Sequence, residues 1–170
     1  RRTWEAQLKW DEKLPFYMTV PWNLFFSQLY DAASIRFPRV MQPPTAVGNP
    51  TLILLSDGSE VAYGCCAYIR WTLEDGSFWC RLLTAKSRIA PMNRINIPQM
   101  ELNGAVLSKR LRQTISQESR FQFEDVHQLI DSQTVLCQLH KLSTRFKVFE
   151  GVRIGEVQAA TGGNMSRLPG

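Results

Sequence analysis

The sequence predicts an α/β fold in which three consecutive antiparallel strands open a sheet and a later strand extends it, with helices on its flanks. Three observations carry this. Three β-prone apolar runs, 51–55, 61–71 and 77–86, follow one another with turn residues between them. After Pro98 the apolar spacing switches to a helical period. A further β-prone run over 123–130 stops at Asp131 and gives way to helical spacing again.

The first run, Thr51-Leu52-Ile53-Leu54-Leu55, ends at Ser56-Asp57-Gly58-Ser59. Between the second and third, Glu74-Asp75-Gly76-Ser77 carries turn chemistry and predicts a hairpin. In the helix after Pro98, Met100, Gly104, Leu107, Leu111 and Ile115 follow one face while Lys109, Arg110 and Arg112 project elsewhere. After the fourth strand, Ser132 is placed to cap a short helix through Leu139. A last helix over 144–160 turns Phe146, Phe149, Val157 and Ala160 inward.

The first 50 residues have a different character. Trp4, Trp10, Phe16, Tyr17, Trp22, Phe25, Phe26 and Tyr30 crowd a stretch broken by Pro15 and Pro21. Pro21 suits a first helical turn, so a helix is expected from Pro21 to about Ser34, with Trp22, Phe25, Phe26 and Leu29 as its apolar stripe. Pro38, Pro43, Pro44, Gly48 and Pro50 then mark a linker. The expected organisation is a connection segment over 1–50 that packs against a neighbouring domain, one domain over 51–161, and an irregular tail over 162–170.

With 170 residues, 44% of them hydrophobic, the chain buries one sizeable core. Its charge of +5, from 20 Lys and Arg against 15 Asp and Glu, favours an anionic partner such as nucleic acid without requiring one. Cys65, Cys66, Cys80 and Cys137 lie in apolar runs without a CxxC pair, and His127 and His140 are badly spaced for zinc, so buried reduced thiols are expected. No apolar run reaches the length of a membrane span, which predicts an intracellular, cytoplasmic protein. Opening on Arg1 rather than Met, the chain reads as a fragment of something longer.

Asp57 closes the first strand, Glu101 lies in the first turn of the long helix, and Asp131 closes the fourth strand. If strands one and four are neighbours, Asp57 and Asp131 stand side by side and the helix delivers Glu101 to the same spot. Three gathered carboxylates repel unless cations neutralise them, and hard oxygen ligands suit Mg²⁺ or Mn²⁺. Taken singly each has an ordinary explanation: a turn former before Gly58-Ser59, a favourable charge at a helix N-terminus, a strand-to-helix turn.

Longer motifs surround these residues. Leu55-Ser56-Asp57-Gly58-Ser59-Glu60, Leu83-Thr84-Ala85-Lys86-Ser87-Arg88-Ile89-Ala90-Pro91 and Ile97-Pro98-Gln99-Met100-Glu101-Leu102 resemble the RNase H region of Pao/BEL retrotransposon polyproteins. So do Ile130-Asp131-Ser132-Gln133-Thr134-Val135-Leu136 and the segment from Arg145-Phe146-Lys147 to Arg153-Ile154-Gly155-Glu156-Val157-Gln158. Trp10-Asp11-Glu12-Lys13-Leu14-Pro15 resembles the segment that joins reverse transcriptase to RNase H in these elements. Gly58 stands where that family commonly has Ala, and Asn103 where it often has Cys.

The resemblance implies an RNase H-like mixed sheet, three antiparallel strands plus a parallel extension, with flanking helices. It implies that Asp57, Glu101 and Asp131 are metal ligands and catalytic residues, with Mg²⁺ or Mn²⁺ as cofactor. It implies an RNA–DNA hybrid and an adjacent reverse transcriptase domain as partners, without a membrane. The family continues with a fifth strand and a last acidic helix, which the tail does not spell, so the domain is expected to be C-terminally truncated. Lys86 and Arg88, with Lys109 and Arg112 on the helix, are candidates for nucleic-acid contact or for ordinary solvated surface. Two further readings stay open: an aspartic peptidase, as which this region of Pao elements has also been classed, and an inactive remnant acting as an interaction module.

Overall fold

A computed structural model describes residues 2–36, 38–92, 95–161 and 165–167. Two compact units divide between Val40 and Met41. The boundary therefore falls ten residues before the expected linker end. The physical reason is that the Pro-rich stretch is already tied to the sheet: Trp71 Nε1 donates to the Met41 carbonyl at 2.7 Å, and Val47 pairs with Thr72.

The first unit holds α1 (Arg2–Glu5) and α2 (Phe16–Ala32). Helix α2 begins five residues earlier than expected, because the amides of Met18 and Thr19 close its first turn on the Pro15 carbonyl. Pro21 thus lies inside the helix, where its missing N–H leaves the Tyr17 carbonyl without its usual donor. Trp22, Phe25 and Phe26 form a ring cluster with centroids 5.7–5.9 Å apart, yet all three are about half exposed.

The second unit is built on β1 (Ala46–Gly58), β2 (Ala62–Leu73), β3 (Phe78–Ile89), α3 (Ile97–Glu118), β4 (Val126–Ile130), α4 (Gln133–Leu139), α5 (Val148–Thr161) and β5 (Met165–Arg167). The strands form one sheet in the order β3-β2-β1-β4-β5. The first three are antiparallel, and β4 and β5 run parallel to β1. The three-strand meander with a parallel extension is thus the fold expected from the sequence. Strand β5 corrects the expectation of an irregular tail: Met165, Ser166 and Arg167 pair with Gln128, Leu129 and Ile130. Three residues are too few to show a period of two, so nothing in their side chains marks them as a strand.

Local chemistry explains the element boundaries. The β2–β3 turn has Gly76 at φ +78°, and Asp75 Oδ1 accepts from the Ser77 amide and hydroxyl. Pro50 lies in a bulge of β1 between Val47 and Thr51, where its missing N–H costs no ladder bond and its carbonyl accepts from Glu124 N. Helix α3 starts at a capping box in which Asn96 Oδ1 accepts from Gln99 N and Gln99 Oε1 accepts from Asn96 N, with Pro98 in the first turn.

Helix α3 crosses the sheet and separates two apolar clusters. On one side Leu52, Leu54, Cys65 and Ala67 meet Leu111 and Ile115. On the other Leu102, Ala105 and Val106 meet Ile130, Val135, Leu139, Ile154 and Val157. Each fully buried Leu or Ile contributes about 1.5–3 kcal/mol relative to exposure, so this helix anchors the position of everything on its first turn. Ile154, which the sequence reading passed over, is wholly buried on the inner face of α5, while Phe149 is only half-buried. The side chain of Ala160 lies outside the described residues.

Two of the expected buried thiols are exposed. Cys65 is buried and Cys66 half-buried, whereas Cys80 on β3 and Cys137 on α4 face outward; all four are free thiols. Alternation within a strand puts the residues of one apolar run on opposite faces, and an apolar run alone does not say which face is covered. Burial pushes the Cys65 thiol up to about 11. Among the described residues no helix is long and apolar enough to cross a membrane.

Helices α3 and α5 are joined by charge. Arg110 donates to both Glu156 oxygens, at 2.7 and 2.9 Å, and Lys109 Nζ stands 3.8 Å from Oε1. The Arg110 hydrogen bonds hold the Glu156 carboxyl below the usual carboxylate range. A depressed carboxylate stabilises the fold above its unfolded pKa, and that stability is lost as pH falls through the folded value. Glu156→Gln is therefore expected to cost about 0.5–1 kcal/mol at neutral pH. The gap to wild type should close on acidification in urea denaturation series; a gap that widens contradicts the sign.

Candidate active site

The parallel register pairs Ser56 of β1 with Ile130 of β4, so the next residue on each strand, Asp57 and Asp131, leaves the ladder beside the other. On its other side Asp57 pairs with Gly64 of β2. Its Oδ1 accepts a hydrogen bond of 2.6 Å from the Gly58 amide, which fixes the carboxylate at the strand end. Asp57 and Asp131 both line one cavity of about 500 Å³, together with Ser56, Tyr63, Gly64 and Ser87.

Two glycines let α3 lie directly on this strand end. A Cβ on Gly104 would stand 2.8 Å from the Asp57 carbonyl oxygen, and one on Gly58 would stand 2.5 Å from Glu101 N. Strand and helix backbones therefore meet with no side chain between them, and Glu101 begins next to Gly58. Its Oε2 accepts a 2.7 Å hydrogen bond from Ser132 Oγ. Ser132 is also the N-cap of α4, its Oγ accepting from Val135 N at 3.2 Å. The same hydroxyl thus serves the helix cap expected from the sequence and a bond to Glu101 that local pattern does not reveal.

The three carboxylates come from neighbouring backbone positions, but their side chains are not gathered equally. Asp57 and Asp131 share the cavity, while Glu101 lies outside its lining and is engaged by Ser132. Among the described residues, no group of three or more His, Cys, Asp and Glu side chains is close enough to hold a metal ion. In donor chemistry the pair in the cavity fits a hard divalent cation. In arrangement the site is a pair plus one carboxylate held by a hydroxyl.

The four candidate nucleic-acid contacts separate into two kinds. Lys86 and Arg88 are exposed and lie on β3. Lys109 is buried and faces Glu156, and Arg112 is half-buried, donating to Oε1 of the buried Gln128 at 3.1 Å. Gln128 Nε2 in turn donates to Ser108 Oγ, so Arg112 belongs to a polar link between α3 and β4. A helix 22 residues long turns its cations through every direction, and sequence alone does not say which of them meet a neighbouring element.

Ser132→Ala removes a helix cap and the hydrogen bond to Glu101 together. We expect a loss of about 1 kcal/mol from the cap, read as a fall of about 2–4 °C in Tm. A melting temperature equal to wild type would mean that the hydroxyl holds neither group.

Comparison with known proteins gives one family and a set of structures. The family model for the Pao retrotransposon-like RNaseH-like domain matches residues 1–132. No curated protein matches the chain. Among 34 matching chains of solved structure is the N-terminal RNase H domain of Rv2228c from Mycobacterium tuberculosis, solved as a fusion with maltose binding protein. It is 16% identical, with 71% of this chain and 88% of that chain covered at a TM-score of 0.42. RNase H1 from the halophilic archaeon Halobacterium salinarum NRC-1 is 13% identical, covering 71% and 84% at 0.38. LC11-RNase H1 in complex with RNA/DNA hybrid is also 13% identical, covering 69% and 83% at 0.39.

Proposed function

Since the chain belongs to the Pao retrotransposon-like RNaseH-like domain family, we propose that it hydrolyses the RNA strand of RNA–DNA hybrids in a reaction that depends on Mg²⁺ or Mn²⁺. The observation that supports this most directly is the pairing of β1 with β4, which sets Asp57 and Asp131 side by side in one cavity. Asp57 and Asp131 would hold the metal ions, with Glu101 as the third ligand. When bound, the ions would supply Lewis acidity at the phosphorus and lower the pKa of the attacking water. The Gly58 amide orients Asp57, and Ser132 holds Glu101 within one hydroxyl of the strand end. The substrate hybrid would come from an adjacent reverse transcriptase domain.

The test is incubation of the chain with a hybrid labelled in its RNA strand, with Mg²⁺, with Mn²⁺ and with chelator. Metal-dependent cleavage of RNA in the hybrid, and not of the same strand unpaired, is the expected result. The Ser132 bond to Glu101 favours a second reading, a non-cleaving module that retains the fold. Calorimetry separates the two: a single weakly held cation without cleavage is the signature of the module.

A further inference from the structure

Strand β4 carries a polar side chain between its two inward apolar ones. Val126 packs against the cluster that holds Leu54 and Leu111, and Ile130 belongs to the cluster that holds Leu102 and Val157. Gln128, between them on the same face, is 1% exposed. An amide is tolerated in such a place only when it is hydrogen-bonded. Its Oε1 accepts from Arg112 Nη1 at 3.1 Å, and its Nε2 donates to Ser108 Oγ at 3.3 Å. Ser108 is wholly buried and Arg112 half-buried. Four residues apart on α3, they present an acceptor and a donor to the two ends of one amide.

The rest of β4 says little about where the strand must stop. A shift of two residues along β1 keeps every side chain on its own face, and the parallel ladder re-forms with new partners. Val126 or Ile130 then takes the place of Gln128. What the shift breaks is the pair of amide bonds, because it carries Gln128 about 6.6 Å from Ser108 and Arg112. It also draws Ser132 away from Glu101, a single bond beyond the end of the strand. Asp131 travels with the strand. Oxygens that share one Mg²⁺ ion lie within about 4 Å of each other, so the shift takes Asp131 out of reach of an ion held by Asp57.

We propose that Gln128 is a positioning residue: bonded to Ser108 and Arg112, it fixes the register of β4 on β1 and so sets Asp131 beside Asp57. Selecting one register at little net gain in stability is the best-attested use of a buried polar group. The functional half of this inference rests on the reading of the carboxylate pair as a metal site.

The test is Gln128→Leu in the full chain, with register and metal binding read separately. Isotope-edited NMR reads the register from backbone contacts of Leu55 with Leu129 and of Ser56 with Ile130, the pairs of the native ladder. Calorimetry with Mg²⁺ reads the carboxylate site. Arg112 reaches water from its half-buried position, and a serine within a helix bonds the carbonyl four residues back. The variant is therefore expected to melt close to wild type in chelator, while its β4 resonances double. Its Mg²⁺ affinity is expected to fall at least about tenfold, the scale for losing a group that orients a metal ligand. Gln128→Glu is expected to restore one register and the affinity, since its carboxylate accepts from both Arg112 and Ser108. If Gln128→Leu fails to fold, Arg112→Met, which removes one of the two bonds from the half-buried side, carries the same expectation with a smaller effect. Native contacts alone in the variant, together with wild-type Mg²⁺ affinity, overturn the proposal. Weakened Mg²⁺ binding with only the native contacts present also overturns it, because Gln128 then acts otherwise than through register. A shifted β4 in the variant, beside a wild type that neither binds Mg²⁺ nor cleaves, removes the nuclease reading and leaves Gln128 as the residue that sets the register.

Discussion

Asp57→Asn is expected to abolish Mg²⁺-dependent cleavage of the RNA strand, with a loss of at least about a hundredfold, the scale for removing one preorganised electrostatic group from a transition state. The substitution keeps the size of the side chain and an oxygen able to accept from the Gly58 amide, so the strand end need not move. What it removes is the charge that a hard cation requires. Stability gives an independent readout. Without metal, the substitution keeps the size of the side chain and the acceptor for the Gly58 amide, so the variant should melt close to wild type in chelator. Adding Mg²⁺ should raise the wild-type Tm through binding to the native state and should raise that of the variant less or not at all. Retained cleavage in Asp57→Asn would remove Asp57 from the chemistry and with it the assignment.

What the sequence made legible follows from the range of the interactions involved. The β2–β3 turn, the start of α3 near Pro98 and the cap at Ser132 each depend on residues within four positions of one another, and each lies where the pattern put it. The placement of Asp57 beside Asp131 needed one further condition, the neighbouring of strands one and four, which the topology supplies. Features that depend on the other side of an interface were not legible. Cys80 and Cys65 both sit in apolar runs, and only the packing of α3 on one sheet face buries one of them. Lys109 and Arg112 look like neighbours of the exposed Arg110, yet α5 and β4 meet them with Glu156 and Gln128. Pro21 looked like a helix start because the carbonyl that closes the first turn belongs to Pro15, six residues away. Strand β5 is held by backbone pairing to β4, which leaves no trace in residue type.

Gly58→Ala is expected to be among the most damaging single-methyl changes in the chain. Gly58 has no positive φ, so the cost is one of contact and not of backbone conformation. The added Cβ would meet Glu101 N and the Met100 carbonyl carbon at 2.5 Å and the Met100 oxygen at 2.7 Å. All three are backbone atoms of the first turn of α3, and none can swing aside as a side chain would. The helix must lift, and Met100 and Leu102, both essentially unexposed, lift with it. Overpacking of this kind costs about 1–3 kcal/mol, and more where the neighbour is rigid. Gly155→Ala is the contrasting variant. Its Cβ would lie 3.5 and 3.6 Å from Ser143 side-chain atoms, which is ordinary contact, and within α5 an alanine is favoured over glycine by about 1 kcal/mol. Thermal melts should therefore move in opposite directions, down for Gly58→Ala and up for Gly155→Ala. The Gly58 variant should also bind Mg²⁺ more weakly, because lifting the helix carries Glu101 away from Asp57. If the Ala variant melts like wild type, α3 is not seated on the strand end as closely as the two glycines allow, and Glu101 loses its route to the carboxylate pair.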